Sequence, residues 1–380
     1  MFGSIWQDTV ARHGQSVAIQ QPDRIIRFAE LDEASRVGAT GFIEARGDAI
    51  EMAIAILRGL RHDIPVQVVE RDRPLRTPAI PLPESTAIIK QTVGASGIRR
   101  CQFFSEAQIR DDVDRIYAAL QMVESDAIVA PISLAHSYGL TAGLLQVIYK
   151  GQKLHWLPQP FPIAVTQALA NHRRAILLGV PSLWKAWSLA QVPLGNTMGR
   201  ISAGAPLVDD RGADLCNLYG TSETGAVAIG RASNRHHFTG QLLPGVEATC
   251  HPSGRVLYSS KSVGLGYDCV EPDEVFGQGH HLSWDVGTVY GGHLSLTHTN
   301  GQGINVAGRK LSPHEVLEKL RAAAGSCIQE VFKVQSRDPE RCEEVVVRID
   351  LEPESLTSSF KTNACRYLAP WEVPRKWVIA

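Results

Sequence analysis

The sequence predicts an α/β protein with a large N-terminal layered α/β domain, a β-rich lobe attached to it, and a small C-terminal α+β domain. Three observations carry this. Short apolar runs alternate with amphipathic helical stretches over the first two thirds of the 380 residues; turn-bounded β segments follow; a newly capped helix then opens the last part. The expected bounds are 1–299 for the large domain and 302–380 for the small one.

"DAIEMAIAILRGL" begins with Asp48 and Glu51 at capping-box spacing and repeats Ile50, Ile54 and Leu57 on one face. "SEAQIRDDVDRIYAALQMV" does the same with Ser105 and Gln108, then Ile109, Val113, Ile116 and Leu120. Both are predicted helices packed by one side. "TAIIKQT" reads as a strand, and "DAIVAPIS" and "AILLGV" as buried parallel strands, apolar throughout and ended by polar residues or proline. From about Gly240 the pattern becomes β-rich, with Pro252-Ser253-Gly254 as a hairpin turn. "THTNGQG" is predicted to be a flexible joint. Beyond it, Ser312 is an N-cap, Pro313 the first helical residue and Glu315 the closing member of a capping box. Two strands, a helix around "SFKTNACRYL" and a final "PRKWVIA" complete the small domain.

Composition narrows the function classes. Lys+Arg number 38 against 39 Asp+Glu, so no field of one sign points to nucleic acid. The first residues have no basic-then-apolar leader, and no run reaches the roughly 18 apolar residues of a membrane span, so a cytoplasmic protein is expected. Seven scattered cysteines, without a C-x-x-C pair, argue against a zinc site or a disulfide framework. His236-His237 and His280-His281 are expected to be solvated, because neighbouring side chains diverge.

The loop after "TAIIK" gathers Thr92, Gly94, Ser96 and Gly97 and then Arg99 and Arg100. Unobstructed N–H groups and hydroxyls there suit phosphate oxygens. It is neither G-x-x-x-x-G-K-[ST] nor G-x-G-x-x-G, and in isolation it reads as a plain turn with solvated arginines. "NLYGTSETG" (217–225) sets one aromatic ring, three hydroxyls and one carboxylate among glycines. "ISAGAPL" stands before it, and "SWDVG" and "INVAGRKLSPHEVLEKL" after it, as further distinctive stretches.

In this order, together with "SLAHSYGLTAGLL", "GVPSLW", "LLPGVE", "VGLGY" and "LAPWEVPRKW", these segments resemble the AMP-forming acid ligase superfamily: acyl- and aryl-CoA synthetases, peptide-synthetase adenylation domains and luciferases. The resemblance runs from about Asp23 to the C-terminus. It implies ATP-dependent activation of a carboxylic acid as an acyl-adenylate and transfer to a thiol, of CoA or of the phosphopantetheine of an acyl carrier protein, with Mg²⁺ required. Nucleotide would be held by Thr92, Gly94, Ser96, Gly97, Arg100, Gly204, Ala205, Pro206, Asn217, Leu218, Tyr219, Gly220, Thr221, Ser222 and Asp285. Within that set, Tyr219 stacks on adenine, Thr221 and Ser222 donate to the α-phosphate and Asp285 receives the ribose hydroxyls. Glu223 would bind Mg²⁺. His136, Tyr138, Gly139, Ser202 and Gly204 would line the acyl pocket, and Gly308 the thiol tunnel. Thr221, Glu223 and His136 are the expected catalytic residues.

The sequence also departs from the family's pattern. Arg99-Arg100 replaces the favoured Pro-Lys, and Thr299 and Gly301 stand where an Arg and a hinge Asp or Lys are usual. The family continues past "LAPWEVPRKWVIA" to a lysine that bridges carboxylate and phosphate; this sequence ends at Ala380, and Lys376 comes too early to be that lysine. A pared-down member is therefore expected. Two alternatives stay open: a member that binds nucleotide or acyl-adenylate without full adenylation, and a ligase that delivers the acyl group to an amine.

Overall fold

The computed structural model describes residues 2–38, 41–71, 73–93, 99–124, 126–207, 215–231, 238–271, 273–299, 303–307, 309–337 and 342–380. Among these, fourteen strands form one large mixed sheet. Its middle is parallel: Lys153–Trp156, Ala127–Ala130, Ala175–Gly179, Thr197–Ala203 and Cys216–Thr221 lie side by side. The predicted buried strands are so apolar because both faces are covered. Ile128, Ala130, Ile176 and Leu178 face the main core, whereas Val129, Ala175 and Leu177 join a second cluster with Val165, Leu169, Trp184 and Trp187.

A second sheet carries Ile88–Val93 and Arg99–Phe104, an antiparallel pair that brackets the Gly/Ser loop. The helices Ala49–His62, Glu106–Ala119 and Leu145–Lys150 contribute to a core shared by residues of both sheets. The first two start as the sequence requires, with reciprocal Asp48/Glu51 and Ser105/Gln108 capping boxes.

The β-rich lobe is not a separate layer. Its strands Gly225–Arg231, Thr239–Leu242, His293–Thr299, His280–Tyr290, Arg255–Ser259 and Glu247–Cys250 extend the same large sheet in antiparallel fashion. The β-rich lobe is therefore joined to the parallel strands by continuous hydrogen bonding within one sheet. The expected joint also shifts. Strand pairing runs to Thr299, opposite Asp285, so the first half of "THTNGQG" is regular structure; residues 300–302 lie outside the described residues.

The C-terminal part has its own core of Ile304, Val306, Leu311, Val316, Leu320, Ile328, Val345, Val347 and Ile349. Strands Ile328–Gln335 and Glu343–Ile349 pair antiparallel, and Lys376–Ile379 adds in parallel. Helix Pro313–Ala324 begins on Ser312, which accepts from Glu315 N at 3.1 Å. The Glu315 carboxylate is engaged elsewhere, by Arg99 of the large domain. No described helix is long and apolar enough to cross a membrane.

Candidate functional site

Cys216–Thr221 is where the large sheet changes from parallel to antiparallel pairing, between Thr197–Ala203 on one side and Gly225–Arg231 on the other. Ala203 pairs with Leu218, so the Gly204–Pro206 and Thr221–Gly225 segments leave neighbouring strands at the same carboxyl edge. Such an edge is where α/β sheets collect ligands. The turn is tight: Thr221 Oγ1 accepts from Thr224 N at 3.2 Å and lies 3.0 Å from Thr224 Oγ1. Two of its glycines are obligatory. A Cβ on Gly225 (φ 68°) would sit 2.3 Å from the Asp112 carboxyl, and one on Gly220 would sit 2.3 Å from the Gly225 carbonyl oxygen.

Tyr219 Oη donates to Asp285 Oδ2 at 2.5 Å, and Tyr258 Oη donates to Tyr219 Oη at 3.3 Å. Ser283 Oγ donates to the same Asp285 oxygen at 3.2 Å. Phe238 braces the Tyr219 ring at 5.2 Å between centroids. Burial first, and the Asp285 charge second, raise the Tyr219 pKa far above its ordinary value. The phenol therefore stays protonated and keeps donating. Two expected nucleotide residues, 66 positions apart, are thus in direct contact.

Glu223 is similarly built in. Its Oε1 accepts from Gln102 Nε2 at 2.8 Å and from Tyr267 Oη at 2.7 Å, and Oε2 lies 3.9 Å from His281 Nε2. Gln102 and Tyr267 are cross-strand partners, so one ladder aims both donors. Lys90, buried under the Phe104 ring at 4.1 Å, belongs to the same neighbourhood. Burial lowers its pKa to about 8 against the pull of the Asp112 and Glu223 charges. Sequence reading missed Gln102, Tyr267, Lys90 and His281. His281 is a correction: it is 5% exposed on strand His280–Tyr290, whereas His280 bonds Ser259 at the surface. Strand alternation puts His281, Ser283 and Asp285 on one face, and that was the signal available. His236-His237 lies outside the described residues.

Other expectations divide. Gly204, Ala205 and Pro206 border the edge, with Gly204 exposed. Thr221 and Ser222 are half-buried in the turn. Leu218 packs into the main core and Asn217 is 3% exposed, so the strand conceals both side chains from a ligand. Arg100 is a second correction. Its guanidinium is buried, held by both Glu274 oxygens and stacked on Tyr267 at 3.7 Å, where it serves the scaffold. Thr92 is buried in its strand, while Gly94, Ser96, Gly97 and Gly308 lie outside the described residues. His136 Nε2 is 2.7 Å from Glu70 Oε1. Tyr138 Oη and Trp184 Nε1 both donate to the Ile201 carbonyl, at 3.0 and 3.3 Å, one residue before the fully buried Ser202. Gly139 abuts the Ser133 carbonyl.

The sequence profile described as "AMP-binding enzyme" matches residues 62–251, half of the chain and inclusive of Tyr219, Glu223 and the Gly204–Pro206 turn. The chain belongs to the AMP-binding enzyme family. This AMP-binding enzyme is 27% identical over 197 residues to the acyl-CoA ligase sidI of Aspergillus fumigatus, which covers 48% of this chain and 33% of that one. It is 23% identical over 310 residues to a 3,4-dihydroxybenzoate--[aryl-carrier protein] ligase of Bacillus anthracis, covering 77% and 70%. The matches span only about a quarter to a third of the length of the acyl-CoA ligases concerned. Its fold is shared with o-succinylbenzoate CoA synthetase of Bacillus subtilis. As a double mutant with a bound product analogue, OSB-NCoA, that protein superposes at TM-score 0.81 (14% identity, 99% of this chain and 94% of that one). In complex with its acyl-adenylate intermediate it superposes at 0.66, with the same identity and coverage.

Proposed function

We propose that this AMP-binding enzyme activates a carboxylic acid with ATP as an acyl-adenylate and passes the acyl group to a thiol, of CoA or of a carrier protein's phosphopantetheine. The observation that carries the proposal is the junction of Tyr219 and Asp285 at 2.5 Å, at the carboxyl edge that also presents Glu223. A purine on the Tyr219 ring places its ribose beside Asp285, whose Oδ2 is held by Tyr219 and Ser283 while Oδ1 receives the sugar hydroxyls. The Thr221–Ser222 hydroxyls then meet the α-phosphate. Negative charge grows on phosphoryl oxygens as the carboxylate attacks phosphorus and pyrophosphate leaves, so fixed donors at this edge lower the barrier.

Glu223 suits Mg²⁺. One oxygen is fixed by Gln102 and Tyr267, and a carboxylate so oriented is the ligand type of a hard cation, which takes one or two carboxylates and completes its shell with phosphate oxygens and water. When bound, the ion would supply charge neutralisation for the phosphates. In the second step a thiol attacks the acyl carbonyl and AMP departs. His136, oriented by Glu70, and the Tyr138–Trp184–Ile201 cluster would border the acid, with residues 1–299 acting as the adenylating body and 302–380 as the mobile domain.

Acid-dependent exchange of labelled pyrophosphate into ATP, run across a library of carboxylic acids, tests the proposal. Exchange with at least one acid, falling about 100-fold in E223A, is expected. No exchange with any acid contradicts it. A nucleotide-binding role without adenylation is the second reading, favoured by the commitment of both Arg99 and Arg100 to carboxylates. AMP binding without acid-dependent exchange would select it.

A further inference from the structure

The carboxylate of Asp285 is engaged by its own chain on one oxygen. Oδ2 accepts from Tyr219 Oη at 2.5 Å and from Ser283 Oγ at 3.2 Å, whereas among the described residues none donates to Oδ1. Both donors are fixed in that role. Tyr219 Oη accepts from Tyr258 Oη at 3.3 Å, which leaves its own proton for the carboxylate. The rings of Phe238 and Tyr258, with centroids 5.2 and 6.1 Å from that of Tyr219, hold the phenol in place. Ser283 Oγ accepts from Asp285 N at 2.9 Å, which turns its hydroxyl toward the same side chain. Behind it Arg255 donates to the Leu282 and Ser283 carbonyls, each at 2.8 Å, and clamps this stretch of strand.

The consequence falls on the sugar. A carboxylate oxygen has two lone pairs, and both of those on Oδ2 are taken. Two open oxygens would match the vicinal 2′ and 3′ hydroxyls of a ribose, one to each. With Oδ2 engaged, both hydroxyls turn to Oδ1, and neighbouring hydroxyls of one ring cannot both lie along lone pairs that diverge from a single atom. One is bonded well. The other is left to water, which the half-buried position of Asp285 admits.

We propose that Tyr219 and Ser283 make this site read only one of the two ribose hydroxyls, so that an adenine nucleotide lacking the other is bound nearly as well as AMP. The inference rests on the proposed function, because it requires a nucleoside sugar at Asp285. It gives Tyr219 a task beyond offering its ring to a purine: its hydroxyl sets the sugar specificity. Deoxyadenosine nucleotides thereby become ligands of the same site.

Calorimetric titration of the full chain with AMP, 2′-deoxy-AMP, 3′-deoxy-AMP and 2′,3′-dideoxy-AMP tests this without turnover. In the wild type at least one monodeoxy nucleotide should bind within about 3-fold of AMP, and the dideoxy form should be weaker than AMP by about 10-fold, the loss of one hydrogen bond to a charged oxygen. Y219F keeps the ring and vacates a lone pair on Oδ2, so both monodeoxy nucleotides should fall about 10-fold behind AMP. S283A, which vacates the other lone pair and leaves the ring untouched, should shift the ratios the same way. A general loss of structure would weaken all four ligands together and leave the ratios where they were. Wild-type discrimination of about 10-fold or more against both monodeoxy forms overturns the inference, as does equal binding of AMP and the dideoxy form; either result, with AMP bound, leaves the proposed function standing. Ratios unchanged in both Y219F and S283A also overturn it. Failure of the wild type to bind AMP overturns the inference and the proposed function together.

Discussion

Arg99 and Arg100 are adjacent on one strand, and both end on a glutamate, yet they do opposite work. Successive side chains point to opposite faces. Arg100 goes inward to Glu274, where the two side chains are 2% and 3% exposed; Arg99 goes to Glu315 across the domain boundary, where they are 10% and 33% exposed. An ion pair sealed from water cannot lose one member without stranding a buried charge, whereas one at the boundary exchanges its partner for solvent or a ligand at little cost. Burial makes the first a rivet and leaves the second open to water on its Glu315 side.

The largest effect expected from this contrast is at the rivet. E274A should lower the unfolding free energy by about 3 kcal/mol in denaturant titration, because Arg100 is left buried with only Glu271, 3.9 Å away, to offset its charge. The double variant R100M/E274L should recover most of that loss. If E274A melts like the wild type, the two pairs do not differ and the contrast fails.

A buried pair without an ionic partner sharpens the comparison. His155 Nδ1 and His172 Nε2 lie 3.1 Å apart in the interior, and burial, with nearby Lys153 adding to it, lowers both pKa values to about 4. The folded state keeps these rings neutral, while the unfolded chain binds protons near pH 6.5. Their contribution is complete above that value and is lost as pH falls through it toward 4. Thermal unfolding followed down this range should show an acid decline that H155L/H172L flattens. An unchanged profile in the double variant would remove burial as its cause.

At the Arg99–Glu315 pair the expected effect on stability is smallest. E315Q and R99Q should each change the unfolding free energy by no more than about 1 kcal/mol, because Glu315 keeps 33% of its side chain exposed to water. A loss as large as that of E274A would make it a second rivet.

The same contrast explains what could be read from the sequence. Helix starts were legible because their caps are local: Asp48 with Glu51 and Ser105 with Gln108 close as spaced. The parallel strands were legible because two-sided burial leaves an unbroken apolar run. The "NLYGTSETG" turn was legible through its glycines, which steric contact with Asp112 and with the turn's own carbonyl makes obligatory. What stayed hidden depends on partners far away in the chain. Arg100 looked like a solvated phosphate cation because Glu274 is 174 residues away, and Tyr267 and Gln102 gave no sign that they meet at Glu223. Lys90 and His281 were similarly silent. Charge type can be read from a sequence, but burial of a charge is a tertiary fact.

The account rests on one nucleotide meeting both Tyr219 and Asp285, and equilibrium binding of AMP tests that most directly. Wild-type protein should bind AMP, and Y219A and D285A should each weaken it by about 10-fold or more, through lost ring contact in one and lost sugar hydrogen bonds in the other. AMP bound equally well by all three proteins would contradict the account.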